Sequence, residues 1–255
     1  MIRLFDNKYV DVGWACWTTT IADSMWREVI ADKPVKISPA KFVQGDVRYC
    51  PAFNNYYKNT YAITMPFDIS LVKFENKIRL NPKTTIHCHP SKLDSIITIV
   101  DNDAEDRVTV QIQLNNVFIS DTPHTIIETM PPVLHGCKEE IIYTNGRFDC
   151  HAWQRPLQFG FQIPKETLDQ MDDETSIDFK KDEVVMYVRI NTPNDKAVKL
   201  YAMDHEDIEH MSKYALRNVT LPTMIRRFNF AQVIERVRNR RPKKFLRNKQ
   251  YDKGD

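Results

Sequence analysis

Through residues 108–114 the chain alternates without a break: Val108, Val110, Ile112 and Leu114 are apolar, and Thr109, Gln111 and Gln113 are polar. Successive side chains of a strand point to opposite faces, so this period of two predicts a sheet with one face on a core and the other in water. Between Tyr61 and Tyr201, short runs rich in Val, Ile, Thr, Phe and Tyr are broken by Pro, Asn and Asp at intervals of about ten residues. The pattern predicts strands at 61–72, 83–89, 96–100, 108–119, 125–130, 159–163, 184–191 and 196–201. A turn at 191–195, carrying Pro193, is expected to join the last two as a hairpin. Such spacing marks a mainly β fold, an antiparallel β-sandwich or barrel of jelly-roll or cupin-like type, rather than alternating strand and helix units.

The ends of the chain read differently. Over 20–31, Ile21, Met25 and Val29, with Trp26 and Ile30 one position round, share a helical face, Thr20 and Asp23 supply a capping signal, and Pro34 is the stop. Just before them, Trp14, Cys16 and Trp17 form a bulky patch suited to anchoring the chain start. After Met203, Asp204, Glu206 and Asp207 suit the first turn of a helix whose Ile208, Met211, Ala215 and Leu216 share a face. A second helix is expected from Pro222, capped by Thr220, carrying Ile225, Phe228, Ile234 and Val237 up to Pro242. The expected organisation is a β-rich domain over 1–203, with an N-terminal helix at about 20–31, and a helical basic arm over 204–255.

Composition narrows the classes. With 255 residues, 42% hydrophobic and 27% charged, the chain has the makings of a buried core rather than of a disordered segment. No window reaches the run of about 18 apolar residues that a membrane helix needs, and residues 1–10 carry charges where a signal peptide is apolar, so no membrane partner and an intracellular origin are expected. Five cysteines without a CxxC pair suggest free thiols rather than a disulfide framework or a thiolate zinc site. None of the six glycines forms a GxGxxG or GxxxxGK[ST] loop, which disfavours nucleotide enzymes of those two classes. The net charge of +2 hides a division: from Arg226 to Lys249 there are ten basic residues and one acid, whereas Met1 to Ile225 carry 25 basic and 31 acidic residues.

Several constellations bear on chemistry. In Thr85-Ile86-His87-Cys88-His89-Pro90, His87 and His89 stand at i and i+2, which on a strand puts both imidazoles on one face, where they can share a metal ion as the HxH pair of a cupin barrel does. A cupin pattern also asks for a following Glu and a distant His; here the acid is Asp94 and the distant histidines are His135 and His151, and two satisfied strand-end histidines are the competing reading. Cys150 and His151 are neighbours, which on a strand sends them to opposite faces, and no Gly-x-Ser-x-Gly elbow occurs. The acids Asp101, Asp103, Glu105 and Asp106, and Asp172, Asp173 and Glu174, fall between expected strands and read as solvated loops, the first group with a calcium site as the alternative. We assign no catalytic residue from sequence, and no cofactor beyond a metal ion at His87 and His89.

The strongest signal is the arm. Arg236, Arg238, Arg240, Arg241, Lys243, Lys244, Arg247 and Lys249 lie within fourteen residues with no acid among them. Their field favours an acidic protein surface or phosphates, and such binding weakens steeply with salt. Phe245 and Tyr251 offer stacking surfaces for nucleic acid. The alternatives are docking on the acidic body of a neighbouring copy and a solvated tail.

The segments Arg48-Tyr49-Cys50-Pro51-Ala52-Phe53, Tyr57-Lys58-Asn59-Thr60-Tyr61 and Pro66-Phe67-Asp68-Ile69 occur together with Phe118-Ile119-Ser120-Asp121 and Glu128-Thr129-Met130-Pro131-Pro132. Gly146-Arg147-Phe148-Asp149, Trp153-Gln154-Arg155-Pro156-Leu157 and the stretch 184–191 follow. As a set they resemble an uncharacterised protein family carried by large tailed bacteriophages and some bacteria, over about 49–201 and not over the arm. The resemblance implies origin rather than mechanism, because no activity or catalytic residue comes with it. Read physically, these are scaffold residues: Pro66 and Asp68 set a strand start, Pro131 and Pro132 end a strand, and Trp153, Arg155 and Pro156 suit a packed corner. The expectation is a phage-encoded, non-enzymatic structural or interaction protein, a virion component made in the host cytoplasm that contacts other phage proteins through its termini as a homo- or hetero-oligomer. The alternatives are a cupin-like metal-dependent enzyme and a host-directed factor that sequesters a ligand or a regulator.

Overall fold

The structure, a computed structural model, describes residues 8–16, 32–37, 50–75, 77–81, 96–101, 105–120, 122–151, 156–172 and 175–203. The alternating run forms strand β7 (Arg107–Gln113), which pairs antiparallel with β12 (Gln158–Pro164) from Gln113↔Gln158 to Arg107↔Pro164. Val108, Val110 and Ile112 then lie opposite Ile163, Phe161 and Phe159, and all six are buried. Strand β6 (Ile97–Asp101) adds to the other side of β7, and β10 (Ile142–Tyr143) to β12, giving a four-stranded sheet in the order β10-β12-β7-β6.

The expected single strand over 108–119 is two. Asn115, at φ +57, turns the chain, and Leu157 is inserted at the break: its carbonyl accepts from Leu114 N–H at 3.0 Å and its N–H donates to Asn116 at 2.7 Å. The continuation, β8 (Asn116–Ser120), joins a different sheet with β1 (Tyr9–Cys16) and β15 (Ala197–Ala202), in the order β15-β1-β8. Strand β1 was not expected from sequence, although Val10, Val12 and Trp14 alternate inward there; it runs parallel to β15 and antiparallel to β8.

The run 61–72 also divides. Pro66 has no N–H to give a ladder, so the chain leaves β3 (Thr60–Thr64) and restarts as β4 (Ile69–Phe74), with the Asp68 carboxylate accepting from Lys181 N–H at 2.8 Å. Strand β4 pairs with β5 (Lys77–Leu80) and β13 (Ser176–Phe179) in a three-stranded sheet. Strand β3 belongs to a five-stranded sheet of order β11-β9-β14-β3-β2, with β2 (Val35–Lys36), β9 (Ile126–Met130), β11 (Arg147–Asp149) and β14 (Val184–Asn191). As expected, Pro131 and Pro132 follow the end of β9.

A short 3-10 turn, Pro193–Asp195, does lie between β14 and β15, but the expected hairpin is not formed: β14 pairs with β3 and β9, and β15 pairs with β1. The reason is Asn59, whose carboxamide donates to Lys196 O at 2.9 Å and accepts from Val198 N–H at 3.0 Å, while the Thr192 hydroxyl donates to Lys196 O at 2.6 Å. These bonds steer the chain out of the five-stranded sheet.

All four sheets give side chains to one core, among them Val12, Ile63, Leu71, Ile112, Phe161 and Phe179. The body is thus mostly β, with several antiparallel sheets on a shared interior, as in a β-sandwich, and among the described residues no sheet closes on itself. Two short helices complete the described residues, α1 (Pro51–Tyr56) and α2 (Lys165–Gln170). The helices expected at 20–31 and beyond 204, and the strand expected at 83–89, lie outside the described residues. Among the described residues no helix is long and apolar enough to cross a membrane.

At Gly160, on the outer face of β12, the Thr144 hydroxyl takes the place a Cβ would need, and Thr144 is fixed by its N–H bond to Gly160 O at 3.0 Å. Gly160→Ala is expected to cost about 1–3 kcal/mol, read as a lowered urea midpoint at unchanged slope.

Candidate functional site

The basic residues Arg236, Arg238, Arg240, Arg241, Lys243, Lys244 and Arg247, and the pair His87 and His89, lie outside the described residues. The structure places the two more distant histidines against different partners: His135 Nδ1 is 2.7 Å from the Tyr187 hydroxyl, and His151 Nδ1 is 3.1 Å from Ser120 O. A backbone carbonyl only accepts, so Nδ1 of His151 is the protonated nitrogen. Cys150 is fully buried and burial pushes its thiol well above the usual range, which leaves no thiolate for attack. Of the first acid group, Asp101 faces Lys165 Nζ at 3.6 Å, an ion pair too long for a hydrogen bond, and Asp106 faces Arg107 at 3.5 Å. Asp103, Asp173, Glu174, Trp153 and Arg155 are outside the described residues. Among the described residues no three His, Cys, Asp or Glu side chains are grouped to hold a metal ion.

The structure does assemble one constellation that the sequence reading missed, on the outer side of the five-stranded sheet. Strands β9 and β14 place Glu128 beside Arg189 in register, with Arg147 of β11 on the far side of Glu128. Arg189 donates to Glu128 Oε2 through Nε at 3.1 Å and Nη2 at 2.6 Å, and Asn191 Nδ2 donates to the same oxygen at 2.9 Å. Burial raises the Glu128 carboxyl, but the bonds from Arg189 and Asn191 and the charges of Arg189 and Arg147 outweigh it, and the net effect is a value below the ordinary carboxylate range. The guanidinium also lies 4.6 Å above the Tyr56 ring and donates to Tyr56 O at 3.4 Å, so the ion pair holds α1 down. Helix α1 begins with Pro51 at its first turn and ends with Phe53 and Tyr57 in contact, ring centroids 4.3 Å apart.

Beside this brace Ala62, Met130 and Tyr187 form a second, smaller apolar cluster, with Ile37, Tyr57 and Leu134 packed on it. The buried Tyr187 hydroxyl accepts from Leu134 N–H at 2.9 Å and so pins the loop after β9. Between α1 and the β2 edge lies an open cleft of about 190 Å³, lined by Lys36, Ile37, Phe53, Asn54, Tyr57, Lys58 and Asn59. Lys58 is already committed, 2.9 Å from the Asp195 carboxylate. Chemically the arrangement is a brace: a charged pair, 19% and 29% exposed, that orients an exposed tyrosine rather than a group poised to transfer a proton. A local signal for it existed, since Tyr187, Arg189 and Asn191 are the polar positions of a period-two run; their partner Glu128, 61 residues away from Arg189, had none.

Segments that are scattered in the chain converge here. Pro51 to Phe53, Tyr57 to Tyr61, Glu128 to Met130, Arg147 to Asp149 and the strand Val184–Asn191 all belong to this sheet or to the helix and turn covering it. Compared with known proteins, the chain matches no family model, no curated protein and no solved structure.

Because the folded Glu128 carboxyl sits below its unfolded value, its contribution to stability is present above the unfolded value of about 4.3 and is lost as pH falls through the lower folded one. Glu128→Gln should therefore cost about 1–2 kcal/mol near neutral pH, with the difference from wild type shrinking on acidification in denaturant titrations. Thiol chemistry separates three cysteines. Backbone N–H groups of Phe53 and Ala52 lower the exposed Cys50 thiol, burial raises Cys137, and Cys150 is sealed. Peptide mapping after alkylation of the folded protein is expected to show Cys50 labelled before Cys137, and Cys150 only after unfolding.

Proposed function

We propose that the protein is a phage-encoded structural or interaction protein, non-enzymatic and carried in the virion, whose β body presents a cationic arm that attaches it to other subunits. The observation that carries this reading is the division of charge: 31 acids against 25 bases up to Ile225, then ten bases against one acid from Arg226 to Lys249. A covalently joined body and arm of opposite sign suit attachment to an anionic surface.

The body supplies a firm base for such an arm. The described chain ends at Met203, whose N–H donates to Trp14 O at 2.7 Å, while the Trp14 indole donates to Asn116 Oδ1 at 2.7 Å. Strand β15 lies in parallel register with β1, and Lys199 Nζ sits 4.5 Å over the Tyr9 ring. Any pull on the chain beyond Met203 is thus received by a strand held in the sheet. The resemblance to proteins of tailed phages supports the assignment to a virion, with other phage proteins as partners and nucleic acid as the second candidate for the arm.

Replacing Arg238, Arg240, Arg241, Lys243 and Lys244 with Gln is expected to abolish incorporation into particles, with the melting temperature of the body unchanged. Mass spectrometry of purified virions decides the matter: absence of the wild-type protein from particles removes the structural role. Attachment through the arm should also weaken steeply with salt, as charge-driven contacts do.

A further inference from the structure

The outer face of the four-stranded sheet differs in composition from the rest of the chain. In its central row Thr98 stands beside Gln111 and Gln111 beside Gly160. The next row runs Val100, Thr109, Gln162 and Ile142, and on the other side Gln113 stands beside Gln158. In a chain that is 27% charged, these three rows hold no Asp, Glu, Lys or Arg. Arg107, at the end of β7, donates to Gln162 Oε1 at 3.2 Å and so is tied to the sheet. Two aliphatic side chains stand in water at the two ends of one row, Val100 at 51% and Ile142 at 42% exposure. Loss of charge with exposed aliphatics is the composition of an interface centre rather than of a solvated sheet.

We propose that this face binds the same face of a second copy of the chain, in a two-fold contact made by the body alone. In such a contact each surface meets itself, so a charge near the axis opposes its own kind. Gln carboxamides and Thr hydroxyls carry both donor and acceptor and complete hydrogen bonds with their own copies. A face built for a charged partner would carry the opposite charge, and this one carries none in its three rows. The strands of this sheet, of two, seven, seven and five residues at about 3.3 Å by 4.8 Å each, present about 330 Å² per copy. The pair then buries on the order of 700 Å², the size of a weak contact, so the dimer forms reversibly and only at high concentration.

The test is sedimentation of the full chain over a range of concentrations in high salt, which screens the arm and leaves a neutral contact intact. Wild type is expected to pass from monomer to dimer. Gln111→Lys, at the centre of the face, should weaken self-association at least about 30-fold without changing the melting temperature. Thr98→Glu, on the edge strand, should do the same with the opposite charge. The arm variant with its five Gln replacements should dimerise like wild type, which separates this contact from the arm's role. A wild-type protein that stays monomeric at every concentration, or a folded Gln111→Lys or Thr98→Glu variant that dimerises like wild type, overturns the proposal.

Discussion

Strands β7 and β12 meet with six buried side chains, Val108, Val110 and Ile112 on one and Phe159, Phe161 and Ile163 on the other. Sliding either strand by one residue would turn its three core side chains to water, at about 1.5–3 kcal/mol each, so one register is strongly specified. From that ladder the rest follows. Phe159 and Phe161 reach Phe179 of β13 with ring centroids 5.3 Å away, which ties the three-stranded sheet to the same interior. The same period sends Thr109, Gln111, Gln158 and Gln162 outward, so the neutral face is the other side of the constraint that builds the core.

The five-stranded sheet solves a harder problem, because both of its faces are partly covered. Ile127, Val188 and Ile190 face the main core, while Tyr187, Met130 and Ala62 face α1 and the loop after β9. Charged groups under such a cover are costly unless their bonds are completed. Arg189 and Asn191 complete Glu128, and Arg189 spends its remaining face on the Tyr56 ring. The brace therefore converts a desolvation cost into a fixed position for α1.

The two proposed modes of contact, through the arm and through the neutral sheet face, differ in their physics. The arm acts through net charge, at a distance set by ionic strength. The sheet face acts through short-range packing and paired amides, which salt leaves nearly unchanged. In the proposed function the first recruits the protein to other subunits and the second pairs its bodies.

Several strands were legible without coordinates: those expected at 125–130, 159–163, 184–191 and 196–201 are found as Ile126–Met130, Gln158–Pro164, Val184–Asn191 and Ala197–Ala202. Alternation and turn residues act over a few neighbouring positions, so the sequence alone determines them, as it does the separation of acid body from basic arm. Tertiary structure decided the rest. Whether Pro66 and Asn115 merely bend a strand or hand it to another sheet depended on Glu183 O and Leu157, which receive the chain there. The pairing of β1 with β15, the meeting of Arg189 with Glu128, and the sealing of Cys150 each join residues far apart in sequence or bury one under others. No local pattern encodes which distant strand supplies the partner, because many pairings satisfy the same alternation and only the packed core selects among them.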